Sequence, residues 1–127
     1  MKDFSTLEKQ LDLKFKNKDL LVQAFCHRSY LNENPNSNLE HNERLEFLGD
    51  AVLDLVVAET LHERTPPLDE GRMTQLKADV VSRRTLAEQA RRLGLAQHAR
   101  LGPGLRGRAQ SQAVLANLYE ALIGAIH

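Results

Sequence analysis

The fold is decided by the stretch His41-Asn42-Glu43-Arg44-Leu45-Glu46-Phe47-Leu48-Gly49-Asp50-Ala51-Val52-Leu53-Asp54. Its acidic residues are spaced by three, four and four positions, so on an α-helix their Cα atoms lie within roughly 80° of one another. Like charges one turn apart destabilise a helix, so the acidic stripe indicates a bound cation, a shared proton or plain solvent exposure. The stretch therefore predicts an amphipathic helix whose opposite, apolar side carries Leu45, Leu48, Val52 and Val56.

Further helices are predicted on both sides of this stretch, and no segment shows the sustained alternation of a strand. Ser5-Thr6-Leu7-Glu8 has the form of a capping box, and Asn17 and Ser82 are suitable N-caps. Thr65-Pro66-Pro67 should end the central helix. The sequence predicts an all-α fold, with helices over residues 18–27, 42–64, 68–81, 83–93 and 109–126 and loops over 30–39 and 101–108.

Size and composition favour one globular domain. The chain has 127 residues, of which 42% are hydrophobic, enough for a core of its own. No apolar run is long enough to cross a membrane, and residues 1–4 do not open a secretory signal. Cys26 has no second cysteine to pair with, which fits a buried structural thiol in a reducing cytoplasm. We therefore expect one cytoplasmic domain over residues 1–127.

Charge is segregated along the chain although the total is zero. Residues 1–71 carry a net charge of −6, residues 72–108 carry +7, and residues 109–127 carry −1. A basic middle segment indicates an anionic partner such as nucleic acid, or a solvated basic face.

Oxygen ligands for a cation can be assembled from two helices. Glu120 is the only acid of the last predicted helix, and Asn117 precedes it by three residues on the same face. Antiparallel packing against the central helix would place Glu46 and Asp50 opposite them. Hard divalent cations such as Mg²⁺ prefer oxygen ligands, and Mg²⁺ held there could activate water for phosphoryl chemistry. A solvent-exposed acidic face is the alternative.

The stretch over residues 41–53 resembles the signature of the ribonuclease III family. Three further segments carry the resemblance: Phe25-Cys26-His27-Arg28-Ser29-Tyr30, Leu76-Lys77-Ala78-Asp79-Val80-Val81-Ser82 and Tyr119-Glu120-Ala121-Leu122-Ile123-Gly124-Ala125-Ile126. The resemblance covers nearly the whole chain and corresponds to a bacterial endonuclease domain, without the double-stranded-RNA-binding domain that usually follows. It implies a helical homodimer that holds double-stranded RNA in a valley and cuts both strands.

The resemblance also implies roles for individual residues. Glu46, Asp50 and Glu120 match the metal-binding, catalytic carboxylates, with Mg²⁺ as cofactor and Mn²⁺ as a substitute. Glu43 matches a supporting acidic position, and Phe47 matches the residue that enters a pocket of the partner subunit. In this chain the candidates for contact with the RNA backbone are Arg106, Arg108, Lys77 and Arg72.

Two positions depart from the family pattern. Asn117 stands where the family usually has Asp, and Gln112 stands where bacterial members often have Glu. The amide oxygen of Asn117 can still be a metal ligand, but without its charge the cation is held more weakly. An inactivating substitution and a natural variant are both open. The sequence thus predicts a double-stranded-RNA-specific endoribonuclease, and the alternative is a catalytically silent dimer of the same fold that binds or scaffolds RNA.

Overall fold

The chain is all-α, as predicted, in a computed structural model that describes residues 4–127. Residues 1–3, the start of the segment judged not to be a secretory signal, lie outside this range. Within it there is no strand, only an isolated bridge between Cys26 and Arg100. The helices are α1 Ser5–Leu11, α2 Lys18–Ala24, α3 Arg28–Glu33, α4 Glu43–His62, α5 Glu70–Val80, α6 Arg83–Arg92, a 3-10 helix Leu95–His98, α7 Pro103–Arg106 and α8 Gln112–Ile126.

The centre of the fold is the crossing of α4 over α8. A methyl group on Gly49 would lie 1.7 Å from the carbonyl oxygen of Glu120. A methyl group on Gly124 would lie 2.2 Å from the carbonyl oxygen of Leu45. Because both positions lack a side chain, the two backbones approach one another directly. This crossing brings the acidic end of α4 beside Glu120.

Helix α8 forms the apolar core, as its composition predicts. Its buried side chains pack with residues of α1, α2 and α6, and the thiol of Cys26 is buried as expected. None of the helices within residues 4–127 has the length and apolar content needed to cross a bilayer. The largest fully buried side chains are Phe25, Leu7, Leu21, Leu95, Leu115, Leu118, Leu122 and Cys26.

Side-chain caps start five of the helices within residues 4–127, four of them through an oxygen atom. Asn17 and Ser82 act as predicted, accepting hydrogen bonds from the backbone N–H groups of Asp19 and Thr85. Asp69 and Ser111 cap α5 and α8 in the same way. Each such cap satisfies an N–H group that has no partner inside its helix.

The capping-box prediction at the start of α1 is wrong. Phe4, not Ser5, occupies the N-cap position, and it makes no side-chain cap. The Glu8 carboxylate instead accepts hydrogen bonds from the Lys18 ammonium and, at 3.0 Å, from the backbone N–H of Phe15. A charge-assisted bond to Lys18 is stronger than a neutral capping bond, so Glu8 ties α1 to the start of α2.

Both predicted loops contain a short helix. Helix α3 begins before the predicted loop over residues 30–39 and extends into it, because the His27 imidazole Nδ1 accepts from the N–H of Ser29 and acts as the cap. Helix α7 begins with Pro103 inside the loop over residues 101–108, in the first-turn position that proline tolerates well.

The predicted apolar side of α4 is wrong in part. Leu45 is buried, but Leu48 and Val56 are exposed. The buried line on α4 instead runs through Leu45 and Gly49, which face α8. Glycine contributes nothing to a hydrophobic pattern, so the sequence did not reveal this contact.

Candidate active site

Three carboxylates predicted as ligands lie beside the crossing of α4 and α8. Glu46 and Asp50 are one turn apart on α4, and Glu120 projects from α8. Glu46 and Glu120 are half-buried, whereas Asp50 is exposed. The close approach at Gly49 sets the distance between the two helices, so it also fixes where these carboxylates meet.

Burial and mutual repulsion hold two of these carboxyls far from their ordinary ionisation. Burial, and then the charge of Glu43, raises the pKa of Glu46 from its ordinary 4.5 to about 7. Burial, a hydrogen bond with Asp50, and the charges of Asp50 and Glu46 raise the pKa of Glu120 to about 7 as well. Negative charge is thus concentrated where it is poorly solvated, a pattern typical of functional sites.

The sequence did not single out Arg83, which faces this acidic cluster. Its charge opposes the rise in the pKa of both Glu46 and Glu120. Arg83 is the first residue of α6, directly after the Ser82 cap. Nothing in the spacing of α4 and α8 points to it, because its approach depends on how α6 packs against α8.

The outer acids of the stripe are occupied by basic partners. Glu43 forms an ion pair with Arg28 of α3 and lies 3.8 Å from His41 Nδ1. Asp54 lies 3.8 Å from Lys77 Nζ. These pairings occupy Glu43 and Asp54, whereas Glu46 and Asp50 in the middle of the stripe have no such partner within residues 4–127.

The donor atoms of the cluster suit a hard cation, since all of them are oxygens. Asn117 lies on α8 one turn before Glu120 and is half-buried, and Gln112 is the exposed first residue of α8. As the side chains stand, no three His, Cys, Asp or Glu residues within residues 4–127 converge as a closed ligand set. The poorly solvated charge of the cluster nevertheless fits a divalent cation, which would relieve the repulsion.

The predicted RNA contacts lie on different elements. Arg106 is on α7 and Arg108 follows it, and both are exposed. Arg72 is exposed on α5, whereas Lys77 of the same helix is close to Asp54.

Phe47 is not buried within its own chain, because 83% of its surface is exposed. It projects from α4 between the site residue Glu46 and the exposed Leu48. The ring borders a cavity of about 700 Å³ that is also lined by Gln23 and His41.

The sequence of this chain matches a known protein family. The Ribonuclease-III-like family model matches residues 17–127. The chain belongs to the ribonuclease III family. The resemblance that rested on residues 41–53 is therefore confirmed.

Several ribonuclease III relatives cover nearly all of this chain. Ribonuclease 3 of Geobacillus thermodenitrificans (strain NG80-2) is 43% identical over 126 residues, 98% of this chain and 51% of that protein. Ribonuclease 3 of Proteus mirabilis (strain HI4320) is 46% identical over 122 residues, 94% of this chain and 51% of that protein. The chain thus spans about half the length of these curated relatives.

Solved structures agree with the sequence comparison. The nuclease domain of ribonuclease III from Campylobacter jejuni superimposes with a TM-score of 0.88 at 37% identity, covering 98% of this chain and 85% of that one. In that protein a region involved in dimer formation is structurally flexible. A second structure of the same nuclease domain gives a TM-score of 0.87 at 38% identity, covering 100% of this chain and 84% of that one.

Replacing Glu46 by glutamine is expected to stabilise the metal-free ribonuclease III domain at pH 8. The pKa of Glu46 in the folded protein is about 7, above its ordinary 4.5. Below pH 4.5 the carboxyl is neutral and costs the folded protein nothing. As pH rises through 7 the half-buried carboxyl ionises, and the free energy of unfolding falls. Glutamine keeps the neutral form at every pH. After discounting for solvent screening, the gain at pH 8 is about 1 kcal/mol, vanishing near pH 4.

Thermal unfolding in EDTA at pH 4 to 8 measures this difference, with Glu40→Gln as the matched control. Glu40 is exposed and precedes α4, so its variant should follow the wild-type profile. A Glu46→Gln protein whose pH profile parallels the wild type would contradict the site electrostatics.

Proposed function

We propose that this chain is the nuclease domain of a double-stranded-RNA-specific endoribonuclease that hydrolyses phosphodiester bonds. The observation that carries the proposal is the meeting of Glu46 and Asp50 on α4 with Glu120 on α8, where two half-buried carboxyls have a pKa of about 7. The relatives are ribonucleases, which favours cleavage over the silent scaffold alternative.

The residues that would hold the metal are Glu46, Asp50, Glu120 and, through its amide oxygen, Asn117. A bound divalent cation, Mg²⁺ or Mn²⁺, would supply positive charge opposite the charge that develops on the scissile phosphate. Glu43, held by Arg28, adds its own negative charge beside Glu46, and this charge would help to attract a cation. Arg83 faces the same cluster and is placed to contact the phosphate or to limit the repulsion among the carboxylates.

The RNA is held through its backbone in this proposal. The major groove of A-form RNA is too narrow for side chains to read, so contacts fall on phosphates and 2′-hydroxyls. Arg106 and Arg108 are exposed and free to reach phosphates. Lys77 contributes less, since Asp54 lies 3.8 Å from its ammonium group. A cytoplasmic location agrees with the free Cys26 and stays a prediction.

The domain works as a homodimer in this proposal, with α4 at the interface. Large apolar side chains are exposed along this helix, including Phe47 at 83%, Leu55 at 60% and Val56 at 54%. A monomer rarely exposes such a contiguous patch. The patch fits a second copy of the chain. In the dimer, Phe47 of each subunit would enter the cavity of about 700 Å³ that lies beside α4 of the partner subunit.

Replacing Phe47 by alanine is expected to weaken the dimer by about 2 kcal/mol, roughly thirty-fold in dissociation constant, because the largest aromatic anchor is lost. Sedimentation equilibrium over a range of concentrations measures the shift toward monomer. Leu13→Ala is the control, since Leu13 is exposed but lies outside α4. An unchanged dimer in the Phe47 variant would refute the anchor role.

Cleavage itself tests the proposed function. The purified chain is incubated with long double-stranded RNA and with single-stranded RNA of the same sequence, in Mg²⁺, Mn²⁺ or EDTA. We expect metal-dependent shortening of the duplex alone, with 5′-phosphate and 3′-hydroxyl ends. Binding of the duplex without any cutting in either metal would support the silent scaffold instead.

A further inference from the structure

A second cavity lies away from the carboxylates, between α3, the 3-10 helix and α7. Its volume is about 680 Å³. No acidic side chain from residues 4–127 lines it, whereas two guanidinium groups do, those of Arg100 and Arg106. The remaining lining residues are Tyr30, Ala96, Ala99, Leu101 and Ala109. The cavity therefore combines two positive charges with small apolar walls and one phenol.

Arg100 carries the stronger signal. Its Nη2 atom is inaccessible to solvent and has no hydrogen-bond partner among residues 4–127. An unpaired N–H donor on a charged group is costly when buried. The guanidinium carbon lies 6.0 Å from the centre of the Tyr30 ring, so the cation is held against an aromatic face. Protein atoms cover Nη2 itself, so an anion in the cavity would contact the other nitrogens of the guanidinium and compensate its charge there.

The backbone around Arg100 is rigidly placed. Its N–H donates to the carbonyl oxygen of Phe25 at 2.7 Å, and its carbonyl oxygen accepts from the N–H of His27 at 3.0 Å. Gly102, two residues later, donates to Ser29 Oγ at 2.8 Å. These bonds fix the backbone of one wall of the cavity to α3, so the main chain that carries the guanidinium is held in place before any ligand arrives.

Arg106 supplies the second charge from α7. Its side chain is exposed, and within residues 4–127 neither Arg106 nor Arg100 forms an ion pair with a carboxylate. Arginine forks match the oxygens of a tetrahedral anion by paired hydrogen bonds. Two guanidinium groups that have no carboxylate partner within residues 4–127 suit a doubly charged oxyanion better than a singly charged carboxylate.

We propose that the cavity lined by Tyr30, Arg100 and Arg106 is a phosphate-binding site. The phosphate comes either from the backbone of bound RNA or from a small phosphorylated molecule. The RNA alternative rests on the proposed function, because Arg106 is one of its proposed RNA contacts, whereas the small-molecule alternative does not. None of the lining residues belongs to the carboxylate cluster, so loss of cleavage and loss of phosphate binding are distinguishable.

Binding of pyrophosphate tests the shared chemistry. The melting temperature is followed while sodium pyrophosphate is titrated at constant ionic strength, adjusted with sodium chloride and in EDTA. We expect a saturable rise of about 2–5 °C. Arg100→Met and Arg106→Gln should each weaken the apparent affinity at least ten-fold. Arg84→Gln, which removes the same charge from the exposed face of α6, should keep the wild-type curve.

Arg106 is on the surface, so its variant decides the question even if Arg100→Met does not fold. Equal losses in the Arg84 variant, or a rise that never saturates, would show only a general salt effect and overturn the proposal. Full pyrophosphate binding by the Arg106 variant would overturn it too.

Binding of double-stranded RNA in EDTA separates the two sources. If the phosphate belongs to RNA, pyrophosphate competes with the duplex. Each variant then lowers the slope of log affinity against log salt by about one. If a small molecule is the occupant, the slope is unchanged while pyrophosphate binding still requires both arginines. Each result supports a phosphate site and names its source.

Discussion

Replacing Gly49 by alanine is expected to destabilise the domain by about 3 kcal/mol or more, a large share of the typical 5–15 kcal/mol of a small protein. The added methyl group would lie 1.7 Å from the carbonyl oxygen of Glu120 and 3.0 Å from the backbone nitrogen of Gly124. Both neighbours are backbone atoms of α8, so no rotamer change relieves the clash. The two helices must separate, which also pulls Glu120 away from Asp50.

Urea unfolding of the two matched glycine variants measures this effect. Gly71 also lies in a helix, but a methyl group there would meet only Asp69 Oδ1 at an ordinary 3.5 Å. Gly71→Ala should therefore stabilise the domain by about 0.5–1 kcal/mol, because alanine favours the helix. Unfolding midpoints that move together in the two variants would contradict the close crossing of α4 and α8.

The contrast between these glycines shows what the sequence could and could not predict. Local signals were reliable at two N-caps, where Asn17 and Ser82 cap helices as their positions indicated, but not at Ser5, where Phe4 holds the N-cap position. The exposed apolar side of α4 was assigned to the core, because Leu48 and Val56 have the composition of a buried face. The spacing of apolar residues locates the apolar faces of a helix. It does not show which face packs in the core of the same chain and which face stays exposed to bind another molecule.

The site was predictable where it depends on spacing within a helix. Glu46 and Asp50 lie one turn apart, and α8 offers only Glu120 to meet them. Their roles as ligands stay predictions, whereas their neighbourhood is visible in the raised pKa of Glu120. Arg83 and Arg100 escaped notice because each reaches its surroundings through packing between elements distant in sequence. A single arginine in a basic segment carries no signal of such a contact.

Replacing Asn117 by aspartate is expected to increase cleavage of double-stranded RNA by about 10–100-fold at limiting Mg²⁺. The substitution returns a negative charge to α8, one turn before Glu120, and nearly keeps the side-chain shape. The added charge attracts a divalent cation, so the Mg²⁺ concentration for half-maximal rate should fall. Without metal the same charge repels Glu120, so the variant should unfold more easily in EDTA than the wild type.

Initial rates over a Mg²⁺ series, together with melting temperatures in EDTA, test both halves of this prediction. Glu120→Gln in the Asn117→Asp background is the control and should lose at least a thousand-fold in rate, because it removes a proposed ligand. If the aspartate variant cleaves RNA and the wild-type chain does not, the missing negative charge at residue 117 accounts for the entire loss of activity. Identical Mg²⁺ dependence with and without the substitution would contradict a role for residue 117 as a ligand. Inactivity of both proteins would direct attention to Gln112, the other position where the expected acid is an amide.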